Sequence, residues 1–248
     1  MTGFKDHFSS HAAAYAAHRP GYPAELAAWL ASIAPASGLA LDVGCGSGQL
    51  SLLLADRFEK VVATDPSAQQ ITNATPHDRI DYRVAPAESS DLPDASADLI
   101  TAAQAAHWFD LPAFFAEARR SLKPDGAIAL ISYAGMEARS EIEAITERFR
   151  LVTIGPYWPP ERAMVENRYR DIALPFAPIE PPRLFIEVRW PLTALIGYLD
   201  TWSAVRVMER EIGRAPFEAV TAELAEAWGD PMSARIIRWP LTIVAGRA

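Results

Sequence analysis

Leu39-Ala40-Leu41-Asp42-Val43-Gly44-Cys45-Gly46-Ser47-Gly48-Gln49 joins a short apolar run to an acid and three alternating glycines. A strand covered on both faces of a parallel sheet reads as such a run. The glycines let the chain turn sharply and let a ligand come within contact distance of the backbone. Leu50, Leu53, Leu54 and Phe58 then recur at helical spacing, so the segment reads as strand, glycine turn and helix. The pattern repeats downstream. Lys60–Thr64, Ile80–Ala85, Leu99–Ala103 and Ala127–Ser132 are expected strands. Asp110 and Pro112 open a helix whose apolar side is Phe114, Phe115, Ala118 and Leu122, and Lys123-Pro124-Asp125-Gly126 is expected to end it. Strands alternating with helices imply an α/β fold with a parallel sheet and right-handed crossovers.

After residue 150 the pattern changes. Seven prolines between 155 and 183 forbid long helices and predict an irregular segment carrying Tyr157, Trp158, Tyr169 and Phe176. Leu184–Trp190 and Ile236–Val244 read as strands, Leu195–Val207 and Phe217–Trp228 as helices. One domain spanning 1–248 is expected: an N-terminal lid at 1–23, a core at 24–150, cap elements at 151–183 and 192–230, and the last two strands at 184–191 and 234–245. Arg-Trp-Pro-Leu-Thr occurs at both 189–193 and 238–242. Its flanks differ, so it reads as coincidence or shared strand-end packing and not as a repeat.

A formal charge of −8, from 31 acidic and 23 basic side chains, argues against a broad phosphate-binding face and so against nucleic acid as partner. Cys45 is the sole cysteine, which excludes an intrachain disulfide and fits a reducing compartment. No apolar run approaches a membrane span or a signal peptide, so a soluble, cytoplasmic protein is expected. His7 and His11 stand at helical spacing without further ligands, and no metal site is expected.

The glycine spacing selects among nucleotide cofactors. A dinucleotide fingerprint requires a third glycine where Gln49 stands. Asp42, Gly44, Gly46 and Gly48 instead make a complete Asp-x-Gly-x-Gly-x-Gly, and here the chain resembles the class I S-adenosylmethionine-dependent methyltransferases. That resemblance implies a Rossmann-like, doubly wound, mostly parallel seven-stranded sheet with a small helical or irregular cap. It also implies S-adenosylmethionine as cofactor and S-adenosylhomocysteine as product. Asp42, Gly44, Cys45 and Gly46 would border the cofactor, with Cys45 fitting between glycines. Asp65, ending the second strand, can accept hydrogen bonds from both ribose hydroxyls, and a helix-capping role is compatible. Ala87-Glu88 falls where the family places its adenine contacts. Gln104 lies at the carboxyl edge of the sheet, where open α/β folds bind ligands. The runs Phe8-x-x-x-Ala12-x-x-Tyr15-x-x-x-Arg19-Pro20-x-Tyr22-Pro23, Gln104–Asp110, Leu122-Lys123-Pro124 and Thr201–Val205 look like the trans-aconitate and related small-molecule methyltransferases. Asp125 departs from the glycine that family commonly has there.

Methyl transfer is an in-line displacement, and orientation can supply roughly 7–11 kcal/mol of its barrier. A carboxylate acceptor is ionised at neutral pH, whereas a hydroxyl would gain from a base. His107 is the candidate base or orienting group, against the reading that His107, Trp108 and Phe109 only shape the pocket. Tyr15 and Arg19 would form a lid segment, with Arg19 pairing a carboxylate of the cofactor or the acceptor. Trp108, Tyr157, Trp158, Arg162, Arg168 and Trp202 are the candidate acceptor site, aromatics excluding water and arginines holding an anion. The leading expectation is O-methylation of a small carboxylate or hydroxyl. N- or C-methylation of a metabolite and a non-catalytic cofactor sensor are the alternatives.

Overall fold

The computed structural model describes residues 20–248, so the expected lid residues Tyr15 and Arg19 lie outside the described part. In chain order the elements are α1 (Ala24–Ile33), β1 (Leu39–Val43), α2 (Gln49–Ala55), β2 (Lys60–Asp65), α3 (Ala68–Thr72), β3 (Ile80–Val84), β4 (Ala97–Ala103), α4 (Leu111–Ser121), β5 (Leu122–Ser132) and α5 (Ser140–Arg148). There follow α6 (Arg162–Glu166), β6 (Ala177–Ile179), β7 (Phe185–Trp190), α7 (Leu192–Asp200), α8 (Ser203–Ile212), α9 (Ala215–Trp228), β8 (Arg235–Pro240) and β9 (Thr242–Arg247).

A seven-stranded sheet runs in the order β3-β2-β1-β4-β5-β9-β6. Its first five strands are parallel, and β9 runs antiparallel to both neighbours. The sheet is thus the expected mostly parallel, Rossmann-like one. Alternate side chains go to opposite faces. Ala40, Val61, Leu99 and Ile131 pack on α1 and α2, while Leu41, Val62, Ile100 and Leu130 pack on α4 and the 164–176 segment. A third cluster joins α5, α7, α8, α9 and the β7–β8 ladder into a cap around Trp228, Trp239 and Phe149.

Two strand assignments need correction. The strand expected at 234–245 is two: β8 pairs with β7 in a separate two-stranded sheet, while β9 enters the main one. Pro240 lacks the N–H a continuing ladder needs, so the chain changes sheets there. The segment 184–191 consequently belongs to the cap ladder, and the seventh place in the main sheet goes to β6. That strand contains Pro178 and is tolerated as an edge. The expected turn at Lys123–Gly126 is a bulge inside β5, where the pairing jumps from Ala97↔Leu122 to Leu99↔Ala127 and Asp125 turns left-handed at φ +62°. Lys123 is drawn in by Asp98, whose fully buried carboxylate it meets at 2.8 Å. Leu195–Val207 is broken at Thr201–Trp202 into α7 and α8. The repeated pentapeptides sit where β7 and β8 end, and Trp190 and Trp239 meet edge-to-face at 5.5 Å, both against Tyr198.

Candidate active site

Strand order reverses between β1 and β4, so the loops that follow these two strands lie side by side. A Cβ on Gly44 (φ +68°) would stand 2.4 Å from Ala105 Cβ, which measures how closely the loops are pressed together. Gly46 is the opposite case: at φ +56° a Cβ would meet nothing among the described residues nearer than Gln49 Oε1 at 3.9 Å. The loop therefore has one face sealed against the sheet and one face open. Thr64 O holds its start, accepting from the backbone N–H groups of Gly44 and Cys45 at 2.7 and 2.9 Å.

Asp65 Oδ2 accepts from Gly46 N at 2.9 Å, and Oδ1 accepts from Ser67 N at the same distance. Ser67, not Asp65, caps α3, its hydroxyl accepting from Gln70 N. The Asp65 carboxylate thus stands at the foot of the loop's open face, and a carboxylate can accept about four hydrogen bonds. An open backbone face beside an acid is the donor and acceptor set that an amino-acid moiety and a ribose diol require. The residues fit S-adenosylmethionine.

Asp42 was expected at the cofactor and does something else directly. It is 1% exposed, and its two oxygens accept from Ser51 Oγ at 2.6 Å and Thr101 Oγ1 at 2.8 Å. Burial pushes its pKa up from 3.8 to about 6. It pins the glycine loop to α2 and β4 from below. Burial, with the Asp42 and Asp65 charges, pushes the Cys45 thiol up and leaves it inert. Ala87 is buried beyond β3. Glu88 accepts from Asp110 N at 3.0 Å, tying that loop to the start of α4.

The carboxyl ends of β4 and β5 face the cap across a narrow cleft of about 60 Å³. Gln104, His107, Trp108 and Tyr133 line it from the sheet, and Trp158, Pro159, Arg162, Tyr198, Trp202 and Ser203 from the cap. Gln104 is left-handed at φ +54° and is held by its amide donating to Tyr133 O at 2.8 Å. Such strain in a residue other than glycine clusters at ligand sites. Trp202 packs on Phe149, Trp158 and Tyr198, with ring centroids 6.3, 5.7 and 5.6 Å away. The Arg162 guanidinium lies 4.7 Å over the Trp158 ring, and its Nε donates to Glu166 at 3.0 Å. Glu166 also pairs with the buried Arg150, which holds Glu147 at 2.7 Å.

His107 does not suit the role of general base. Burial first, and the Arg162 charge second, pull its pKa down from 6.5 to about 3, so the imidazole is neutral and weakly basic at pH 7. Its Nδ1 lies 3.1 Å from Tyr169 Oη. The orienting half of the expectation is the one this geometry suits.

Two expected acceptor residues fall outside the cleft. Arg168 is left-handed at φ +57° and its side chain is exposed, because the turn that swings Tyr169 inward throws Arg168 out. Tyr157 packs against the cap cluster. Tyr133, Tyr198, Ser203 and Pro159 line the cleft and Tyr169 backs His107, none of them expected as acceptor-site residues. Tyr133 was findable as a residue just past a strand end, like Gln104. The others are brought in by the cap fold alone. Among the described residues no group of three His, Cys, Asp or Glu could hold a metal ion, and no helix is long and apolar enough to cross a membrane.

Residues 41–130 match a family described as a methyltransferase domain. A Dictyostelium discoideum protein whose name assigns it to the methyltransferases is 38% identical over 206 residues, covering 82% of this chain and 78% of that one. A solved structure from Anaeromyxobacter dehalogenans, assigned as a type II methyltransferase, is 47% identical. It superposes with a TM-score of 0.88 over 92% of this chain and 97% of its own. A malonyl-[acyl-carrier protein] O-methyltransferase of Dechloromonas aromatica is 39% identical over 110 residues, 43% of this chain and 40% of that enzyme.

Proposed function

The chain belongs to the class I S-adenosylmethionine-dependent methyltransferases, and we propose that it methylates a carboxylate oxygen of a small acid held in the aromatic cleft. When bound, S-adenosylmethionine supplies a methyl group already activated on positively charged sulfur. The glycine loop would border it, and Asp65 would hold its ribose hydroxyls. Because Ala105 packs on Gly44, the cofactor loop and the cleft wall from Gln104 to Trp108 are one continuous surface.

The observation that carries the choice of acceptor is the cleft's charge inventory. Among the described residues its lining has one charged side chain, the cation Arg162, and one imidazole, held neutral and weakly basic. A hydroxyl near pKa 10 would find none of these described groups matched to take its proton. A carboxylate needs none, and arginine suits it. A carboxylate acceptor would reach that methyl group already ionised, so the chain would have no proton to remove. The chain's own contribution is to align the acid and exclude water with Trp108, Trp158 and Trp202. The partial likeness to an enzyme named for O-methylation supports an oxygen nucleophile. The negative overall charge speaks against nucleic acid as acceptor.

The test is incubation with methyl-labelled cofactor and a panel of small acids, alcohols and amines, read by mass spectrometry before and after alkali. Alkali-labile methyl esters are the expected products. Alkali-stable methyl groups on nitrogen or carbon would replace this reading with the metabolite N- or C-methyltransferase. Tight cofactor binding without turnover on any class would make the protein a sensor.

A further inference from the structure

We propose that the cleft selects acids with a single carboxylate on a flat apolar body, clamping that carboxylate between the Arg162 guanidinium and the Nε2–H of His107, with Tyr169 holding the hydrogen on Nε2. This rests on the carboxylate reading above and narrows it to a substrate class.

The walls argue for flatness. Five of the ten lining residues are Trp or Tyr, and three of those, Tyr133, Tyr198 and Trp202, are nearly buried. Their rings are braced by one another: Tyr198 meets Trp202 at 83° and Trp239 at 71°. Braced rings keep their planes, and a slot of fixed planes fits a conjugated or aromatic body better than a flexible chain, which loses rotamer freedom on entry.

The charges argue for one carboxylate. Nε of Arg162 is taken by Glu166, and neither terminal amino group of its fork has a hydrogen bond to a described residue. The fork is planar and lies on Trp158, so it presents a fixed edge to a carboxylate. The nearby Arg150 cannot serve a second carboxylate, since it is buried and spent on Glu147 and Glu166. Among the described residues of the cleft, an acid with two or three carboxylates would meet no second cation and would place charge against indole and phenol rings at a desolvation cost.

The third element is the histidine tautomer. Tyr169 is 1% exposed and reaches His107 by two successive left-handed residues, Arg168 at φ +57° and Tyr169 at φ +54°. Such a pair is uncommon outside glycine and is kept where surrounding structure enforces it. It aims the phenol at Nδ1, 3.1 Å away. Burial keeps the phenol protonated, and the contact fits either tautomer; in the proposed arrangement the hydroxyl donates to Nδ1 and the imidazole hydrogen resides on Nε2. Nε2 has no hydrogen-bond partner among the described residues and belongs to the cleft wall. A base would need the opposite tautomer. Tyr169 is therefore a positioning residue that makes His107 a permanent donor.

The experiment uses the whole protein saturated with S-adenosylhomocysteine and three probes. They are trans-cinnamate (flat, one carboxylate), octanoate (flexible, one carboxylate) and propane-1,2,3-tricarboxylate. Affinity is read from tryptophan fluorescence and calorimetry. Cinnamate is expected to bind at least about tenfold tighter than the other two, and Arg162→Met to weaken it at least about tenfold with S-adenosylhomocysteine affinity unchanged. Long-range 15N–1H spectra should show His107 protonated at Nε2, with mixed tautomers in Tyr169→Phe. The inference is overturned if the tricarboxylate or octanoate binds as tightly as cinnamate, if cinnamate fails to bind at millimolar concentration, or if the Arg162 variant binds it normally. It is equally overturned by a hydrogen on Nδ1 in the native protein. Esterification of the tricarboxylate would sink this inference and leave carboxylate methylation standing, whereas methylated amines with no esters would sink the broader reading.

Discussion

Gly44→Ala and Gly46→Ala place the same methyl group on the same loop and should fail in different ways. Both residues are left-handed, so either alanine carries roughly 1–2 kcal/mol of backbone strain. At Gly46 the new Cβ has no neighbour among the described residues within 3.9 Å, and strain is the cost they impose. For a chain of this size that corresponds to a Tm roughly 2–8 °C lower. At Gly44 the Cβ would lie 2.4 Å from Ala105 Cβ and 3.3 Å from the Phe109 ring. The Ala105 methyl cannot rotate aside, so overpacking adds roughly 1–3 kcal/mol and the total reaches roughly 2–5 kcal/mol. Cofactor affinity should show the reverse severity relative to stability. Gly46→Ala fills the open face and should weaken S-adenosylhomocysteine by at least about tenfold while the protein stays folded. Scanning calorimetry gives the first quantity and titration calorimetry the second. Unchanged S-adenosylhomocysteine affinity in Gly46→Ala would refute the placement of the cofactor on that face, and equal melting temperatures for the two variants would refute the packing difference.

Asp42 should oppose the usual pH trend of a carboxylate. Its folded pKa of about 6 exceeds the unfolded 3.8, so the folded chain retains a proton that the unfolded chain has lost. Stability from this group falls as pH rises from about 4 to 6, by about 3 kcal/mol in all, and stays level above. Denaturant midpoints at pH 4 and 7.5 should therefore drop less in Asp42→Asn than in the native protein; identical drops would contradict the burial argument. In Asp42→Asn, which removes the carboxylate of pKa about 6, methyl ester formation should carry no step near pH 6.5, since burial lowers the His107 pKa to about 3; a rate that doubles or more between pH 5.5 and 7.5 in that variant would return the histidine to the role of base. Arg150→Met leaves Glu147 and Glu166 without their buried partner and should lower stability by about 3–5 kcal/mol, read as a denaturant midpoint. A native midpoint would show that the pair of glutamates is hydrated.

The strands of the core and the glycine loop were readable because their signals are local. Leu39–Val43 is a short run that is apolar but for Asp42, and Asp110 with Pro112 marks a helix start that the structure reproduces, Asp110 Oδ1 accepting from Ala113 N. What escaped reading depends on partners far along the chain. Apolar alternation continues through Ile236–Val244, yet periodicity says nothing about which sheet a strand joins, and Pro240 divides it. β6 was hidden by its own proline, acceptable only because an edge strand can turn that position to solvent. In the cleft, Trp158, Arg162 and Trp202 were legible as types suited to the task. Tyr169 and Tyr198 were not, because a tyrosine in a turn or a helix interior acquires meaning only when the cap folds it over the sheet. Asp42 was legible as a motif residue, but its role depends on Ser51 and Thr101, which no spacing rule connects to it.

One residue, Leu241, separates the cap's β8 from the core's β9. A tether that short carries any tilt of the cap directly into the ladder that β9 shares with β5, and so toward the strand end bearing Tyr133. The upper storey is built into the floor and is no hinged door. Evolution and engineering alike would then retune acceptor choice by exchanging side chains such as Trp158 or Ser203 within a fixed frame, and grafting a foreign cap across Pro240–Thr242 would cost the sheet its alignment.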